Sequence, residues 1–286
     1  MSNFQKRILT AIVLMLFGIA GLSGNSFLFL IFFGVIGGFC SWEYYDLVLR
    51  DKSSRSKISR KILGMMIGVL PFILLSIHYL VPDTLTIIHV GFIFSVVLSS
   101  LFVMELFVNS GTPFSNLGYV FTGIIYLGIP FGILVPIHFV FGNAPIIGMW
   151  VFVAAFDVAA YLVGSRIGKT PLFPRISPKK TWEGIGGGVG LLVIFFFLLP
   201  MILEWISTVS GYEIANEIRY KDWIAIAAIS LVFGTLGDLI ESMLKRNLGV
   251  KDSGNLLPGH GGFLDRFDSV FFPVPFIAAY LFMFVH

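Results

Sequence analysis

Nine stretches of this chain, each 15–25 residues long, are apolar almost throughout: 8–22, 27–49, 62–81, 85–108, 117–141, 146–168, 184–206, 223–244 and 270–285. A helix that crosses the hydrocarbon core of a bilayer needs roughly 20 such residues. The pattern excludes most folds, because lipid offers no partner to an exposed backbone N–H or C=O, and only helices or closed barrels satisfy all of them internally. Of the 286 residues 57% are hydrophobic and only 12% charged, too few charges to solvate a globule of this size. The expected fold is all-α: one polytopic membrane domain over 1–286 with about nine transmembrane helices. Within it, 1–115 form an N-terminal bundle and 116–286 hold the helices and loops that carry the chemistry. The one cysteine, Cys40, lies inside an apolar run and reads as a small core residue, so neither a disulfide framework nor a thiolate metal site is available.

The basic residues test this count. Lys6 and Arg7 precede the first segment, six Lys and Arg lie over 50–61, five over 166–180, and Lys245, Arg246, Lys251 and Arg266 follow the eighth. With nine alternating spans, 17 of the 19 Lys and Arg residues fall on one side, and only Arg219 and Lys221 on the other. By the positive-inside rule that side is the cytoplasm, with the N-terminus on it. The expected location is a bacterial-type inner membrane. The first segment is short and follows two basic residues, as in a signal peptide, but 21–24 fit a cleavage site poorly and retention is expected. The basic stretch over 50–61 reads as an orientation anchor at anionic headgroups.

Six acids lie in or at the ends of apolar segments: Glu43, Asp46, Glu105, Asp157, Asp238 and Glu241. Each is costly at membrane depth unless it meets a cavity or a partner, so each is a functional candidate. Glu43 and Asp46 stand beside Trp42, Tyr44 and Tyr45, which read as an interfacial aromatic belt, and a structural role is expected for the two acids. Glu105 has no evident partner in sequence. In the eighth segment Gly234, Asp238, Glu241, Ser242 and Lys245 recur at helical spacing and form one polar stripe. From Asp238 to Lys245 it runs about 10 Å at 1.5 Å per residue. Acids at depth with a lysine at the mouth suit a metal bound below an anionic ligand; a polar seam between helices is the alternative. The sixth segment repeats the arrangement with Asp157, Tyr161, Gly164, Ser165 and Gly168, whose glycines also suit close helix packing.

Two loops complete the candidate set. Over 169–183 three prolines forbid regular helix, and Arg175, Ser177, Lys179, Lys180 and Thr181 supply donors that only Glu183 offsets, a composition suited to phosphate. The glycines at 184–188 fit either approach to a ligand or tight packing. The second loop carries Lys251, Asp252, Ser253 and Gly254, then Pro258 to Gly262 around His260, then Asp265, Arg266, Phe267 and Asp268. Asp265 and Asp268, three apart, point the same way on a helical turn. Hard oxygen ligands so placed fit Mg²⁺, which takes one or two carboxylates and shares its other positions with water and phosphates.

Over 242–268 the chain resembles the membrane-bound phosphatidate cytidylyltransferases, or CDP-diacylglycerol synthases, whose signature runs S-x-x-K-R, four residues, K-D-x-G, then proline or glycine, H-G-G and D-R-x-D. Over these 27 positions the chain shows no departure from it. The family's upstream element, an aspartate and a tyrosine before a basic S-P-K-K-T-W-E-G run, is present as Asp157, Tyr161 and 177–184. The resemblance covers about 150–286; the first half matches only in being apolar. It implies attack by a phosphatidate oxygen on the α-phosphorus of CTP, with Mg²⁺ on Asp238, Asp265 and Asp268, and Asp157 and Glu241 as weaker ligands. It leaves room for a second cation. Ser177, Lys179, Lys180, Ser242, Lys245, Lys251 and Arg266 would hold phosphates, and Lys251, Asp252 and His260 would join the three aspartates as catalytic residues. The implied partners are CTP and phosphatidate in the bilayer, with no nucleic acid and a homodimer left open. Two other functions compete: a CTP-dependent lipid or polyprenol kinase, against which the complete signature argues, and a cation-coupled transporter, which would need acids spread across the bilayer.

Overall fold

The computed structural model describes residues 13, 16–49, 54–107, 112–210, 218–257 and 261–285. Its elements in order are α1 (Ser26–Val48), α2 (Ser54–Leu80), α3 (Ile87–Phe107), α4 (Pro113–Gly123), a π-helical turn (Ile124–Gly128), α5 (Ile129–Phe141), α6 (Ala144–Ile167), β1 (Pro171–Phe173), β2 (Ser177–Thr181), α7 (Trp182–Ser210), α8 (Tyr220–Asn247), α9 (Leu264–Phe271) and α10 (Val274–Phe284). Among the described residues eight helical stretches are long and apolar enough to cross a membrane, and they coincide with the second to ninth apolar segments. The chain is an all-α, multi-pass membrane protein. Residues 8–12, 14 and 15 of the first segment lie outside the described residues; 16–21 within it are helical.

The chain divides into two compact units, one built on Asn25–Phe139 and Asp252–Asp265, the other on Val140–Lys251 and Arg266–His286. In the first, Asn25 caps α1 by accepting the Leu28 N–H at 3.1 Å. α1 and α2 approach closely because α2 presents glycine there: a Cβ on Gly64 would sit 2.7 Å from the Tyr45 ring. Tyr44 and Tyr45 are 1% and 0% exposed, so they do not form an interfacial belt. Their hydroxyls instead donate to the Tyr119 and Val120 carbonyls at 3.1 Å each, on the helix that leads into the π-helical turn. A buried phenol needs such a partner, and an irregular helix has carbonyls to offer it. Lys61 pairs with Asp46 at 2.9 Å and lies over the Trp42 ring. Glu105, unassigned from sequence, is buried and accepts the Asn116 side-chain amide at 2.6 Å, tying α3 to α4. Cys40 is fully buried, as its apolar surroundings predict.

In the second unit α6 and α7 pack closely. A Cβ on Gly184 would lie 2.7 Å from the Ala160 carbonyl oxygen, and Gly187 and Gly188 face Val163 and Phe156. Three of the glycines after the basic loop therefore serve packing, while Gly186 faces open space. α8 meets the Asp268–Ser269 backbone through Gly234 and Gly237, so that helix approaches where side chains would keep it away. At its other end Asp222 accepts the Arg219 N–H at 2.9 Å and the Tyr280 hydroxyl at 2.8 Å. Much of α3 and α7 shows apolar side chains outward, Ile88, Phe92 and Val96 on one and Ile194, Phe197 and Met201 on the other. A lipid solvent makes that favourable.

Candidate active site

The basic loop over 169–183 is ordered as a hairpin. β1 and β2 pair antiparallel, Pro171 opposite Thr181 and Phe173 opposite Ser177. Pro174 stands second in a turn closed by the Ile176 N–H donating to the Phe173 carbonyl at 3.1 Å, the position for which its fixed φ is suited. Thr181 then caps α7, its hydroxyl oxygen accepting the Gly184 N–H at 3.2 Å. Glu183 does not neutralise the loop's lysines. It accepts the Lys169 N–H at 3.1 Å and the Thr170 hydroxyl at 2.8 Å, fastening the start of the hairpin to the helix that follows it.

With both ends tied, β2 delivers Lys180 to Asp238 on α8, Nζ to Oδ2 2.6 Å. Ser242, one turn on, donates to the other oxygen of Asp238 at 3.2 Å. Lys245 pairs with Glu241, which is fully buried. Asp157 on α6 accepts from the Ser269 hydroxyl and feels the charges of Lys180 and Asp238. Asp268 is 8% exposed, accepts the Ser269 N–H at 2.7 Å, and interacts with Asp238, Lys180 and Lys245. Three aspartates and two lysines are thus held within mutual electrostatic reach, where burial strengthens every charge interaction.

A cavity of about 300 Å³ opens beside them. One part of its wall is apolar, made by Phe156, Tyr161, Leu172 and Ile185; the other carries Asp157, Lys179, Lys180 and Asp238. This volume is at the small end of ligand sites and suits a phosphate-bearing headgroup better than a whole nucleotide. Tyr161 is 73% exposed at its rim.

The other half of the signature lies in the first unit. There Asp265 accepts the Ser253 N–H at 3.0 Å and the Gly262 N–H at 3.0 Å, and the Ser253 hydroxyl donates to Glu43 at 3.2 Å. Leu257 and Gly261 form a bridge across the loop. Glu43 is 2% exposed and takes its partners from the loop, the Ser253 hydroxyl and the Leu264 N–H.

Comparison with known families matches residues 5–284 to the one described as the cytidylyltransferase family. The chain belongs to the cytidylyltransferase family. Its curated relatives include the phosphatidate cytidylyltransferase of Bacillus subtilis strain 168, 38% identical over 172 residues, which are 59% of this chain and 60% of that protein. The phosphatidate cytidylyltransferase of Thermotoga maritima is 38% identical over 152 residues, 53% of this chain and 54% of that protein. That of Haemophilus influenzae is 39% identical over 135 residues, 47% and 44% of the two chains. The chain thus spans about half the length of the curated relatives it matches.

Set on this cytidylyltransferase family member, the candidate residues sort by unit. Asp157, Asp238, Asp268, Lys179, Lys180, Ser242, Lys245 and Glu241 come together in the second unit, the last bound to Lys245. Ser177 opens β2, and Lys251, like Arg266, is exposed. Asp252 is exposed in the first unit, which also holds Asp265. His260 lies outside the described residues. Sequence reasoning missed the contact of Glu43 with the signature loop and the capping role of Thr181. For Thr181 a signal existed: a threonine three residues before the first glycine of a helix start is a capping position.

Proposed function

We propose that this chain is a phosphatidate cytidylyltransferase of the cytoplasmic membrane. A phosphatidate oxygen attacks the α-phosphorus of CTP; the new P–O bond forms as the bond from the α-phosphorus to the bridging oxygen breaks, and pyrophosphate leaves with that oxygen. The observation that carries this reading is the largely apolar cavity of the second unit, with Lys179, Lys180 and two aspartates on its polar wall, in a chain of the cytidylyltransferase family. An apolar wall suits a diacyl lipid, and a lysine pair suits its phosphate.

A phosphomonoester has a second ionisation near pH 6, so at neutral pH the nucleophile is already charged and no strong base is needed. The difficulty is to bring two polyanions together. Lys179 and Lys180 from β2 and Lys245 from α8 neutralise phosphate charge, Ser242 donates a hydrogen bond, and the rigid hairpin sets the approach. Lys251 and Arg266 add exposed cations, and Ser177 at the start of β2 adds a hydroxyl donor. Lys180 and Lys245 rest on Asp238 and Glu241, so each lysine has a carboxylate that holds it in position for phosphate.

The carboxylates also fit a hard cation. Among the described residues no group of three His, Cys, Asp or Glu side chains is spaced to hold a metal by itself. Mg²⁺ does not need one, since it takes one or two carboxylates and completes its octahedron with water and substrate phosphate. Asp238 and Asp268 are the pair we assign, with Asp157 nearby. When bound, Mg²⁺ supplies charge neutralisation at the triphosphate. Asp265 ties the loop in the first unit.

The purified chain, given CTP and Mg²⁺, should release pyrophosphate and form CDP-diacylglycerol in equal amounts only when phosphatidate is added. Pyrophosphate release that ignores the lipid, or lipid consumption without a cytidylyl product, overturns the assignment. Orientation rests on 17 of 19 basic residues falling on the side of the hairpin. A cysteine placed at Arg175 should react with an impermeant thiol reagent only from the cytoplasmic face.

A further inference from the structure

α9 begins at Leu264, so Phe263 stands at its N-cap, and phenylalanine has no oxygen with which to satisfy the first N–H groups of the helix. The missing acceptors come from elsewhere in the first unit. Glu43 on α1 accepts the Leu264 N–H at 2.9 Å and a bond from the Phe263 backbone, while the Ser253 hydroxyl oxygen accepts the Asp265 N–H at 3.3 Å and donates its own proton to Glu43. One carboxylate, 221 positions away in sequence, thereby holds both ends of the loop, Ser253 at the start and Leu264 at the close. The glycines fit this arrangement. A Cβ on Gly254 would lie 2.5 Å from Glu43 Oε1, and one on Gly262 would run into Ser253 Oγ and Glu43 Oε2. Gly254 of K-D-x-G and Gly262, the second glycine of H-G-G, are therefore the space that the Glu43 carboxylate fills.

We propose that Glu43 is the positioning residue of this loop: it caps α9 from another helix and so sets the placement of Asp265. Glu43 acts through the loop and touches no substrate. The bonds from the Ser253 hydroxyl and from the Leu264 N–H both run to a single oxygen, Oε2. A glutamine carbonyl in that position keeps them, whereas alanine removes them.

The test has two arms, of which the kinetic one rests on the cytidylyltransferase reading. In the first, hydrogen–deuterium exchange over 252–265 is followed in detergent, where loss of the tie should speed exchange of this segment at least about tenfold in Glu43→Ala and less than about threefold in Glu43→Gln. Exchange unchanged in Glu43→Ala overturns the proposal whether or not the chain turns over CTP. In the second, misplacement of the site should lower kcat about a hundredfold in Glu43→Ala, with KM for CTP changed less than threefold, and Glu43→Gln should recover most of the rate. Ser253→Ala, which removes one of the bonds with little change in volume, should give a smaller fall of the same kind. Glutamine as inactive as alanine overturns the positioning role, because it shows that the charge itself is used. If wild-type protein makes no CDP-diacylglycerol, the functional reading fails while the exchange arm still decides the tie.

Discussion

Glu43 and Asp265 in one unit and Asp238 and Glu241 in the other are held in opposite ways. In the first, Glu43 and Asp265 accept backbone N–H groups and the Ser253 hydroxyl, partners whose positions the chain itself fixes. In the second, Asp238 and Glu241 face Lys180 and Lys245, ammonium groups on flexible four-carbon stems that can exchange one anion for another. The difference separates two tasks. An acid on backbone donors holds a segment still, and an acid opposite a lysine would, on the proposed function, keep a cation in place until phosphate arrives.

The contrast breaks first at Asp268. Asp268→Asn should cut phosphatidate-dependent CTP turnover about 10³-fold, close to 4 kcal/mol of barrier, while the protein still elutes from a sizing column as folded material. Near-normal turnover would remove Asp268 from the reacting site. Next is Glu241→Gln, which leaves Lys245 buried opposite a neutral group and should cost about 3–5 kcal/mol of stability, read as a lower unfolding temperature in detergent. The double variant Glu241→Leu with Lys245→Met should regain most of that stability but not the activity. Recovery of both would reduce the pair to packing. Lys180→Met should lower turnover about a hundredfold and raise KM for CTP, on the scale of a lost charge-stabilising donor. An effect on unfolding temperature alone would make its bond to Asp238 purely structural. Smallest is Asp46→Asn: Asp46 is 52% exposed, and Lys61, 9% exposed, keeps the Trp42 ring as a second partner, so the loss should stay within about 2 kcal/mol, and turnover should not change.

What could be read from the sequence follows the solvent. Lipid requires helices of a certain length, so the second to ninth apolar segments lie within a few residues of the helices found. The charged residues of the second unit were legible for a related reason: Asp157, Asp238 and Glu241 are too costly at membrane depth to be incidental. The hairpin was not legible, because prolines at 171, 174 and 178 read as breakers of regular structure. In a two-stranded ribbon both strands are edges, where proline is tolerated, and Pro174 makes the turn. Tyr44 and Tyr45 near a helix end look the same in sequence whether they reach headgroups or the carbonyls of a neighbouring helix. Glu43 shows the limit most clearly. Its partner Ser253 is 210 positions away, and only the absence of a capping oxygen at Phe263 hints that one is needed from elsewhere.

The central claim, that the charged cavity transfers a cytidylyl group to a lipid phosphate, is tested most directly with CTP labelled at either the α- or the γ-phosphorus. The account predicts that label from the α-position enters the lipid product and that γ-label leaves entirely as pyrophosphate. Lipid carrying γ-label would make the chain a CTP-dependent kinase and contradict it.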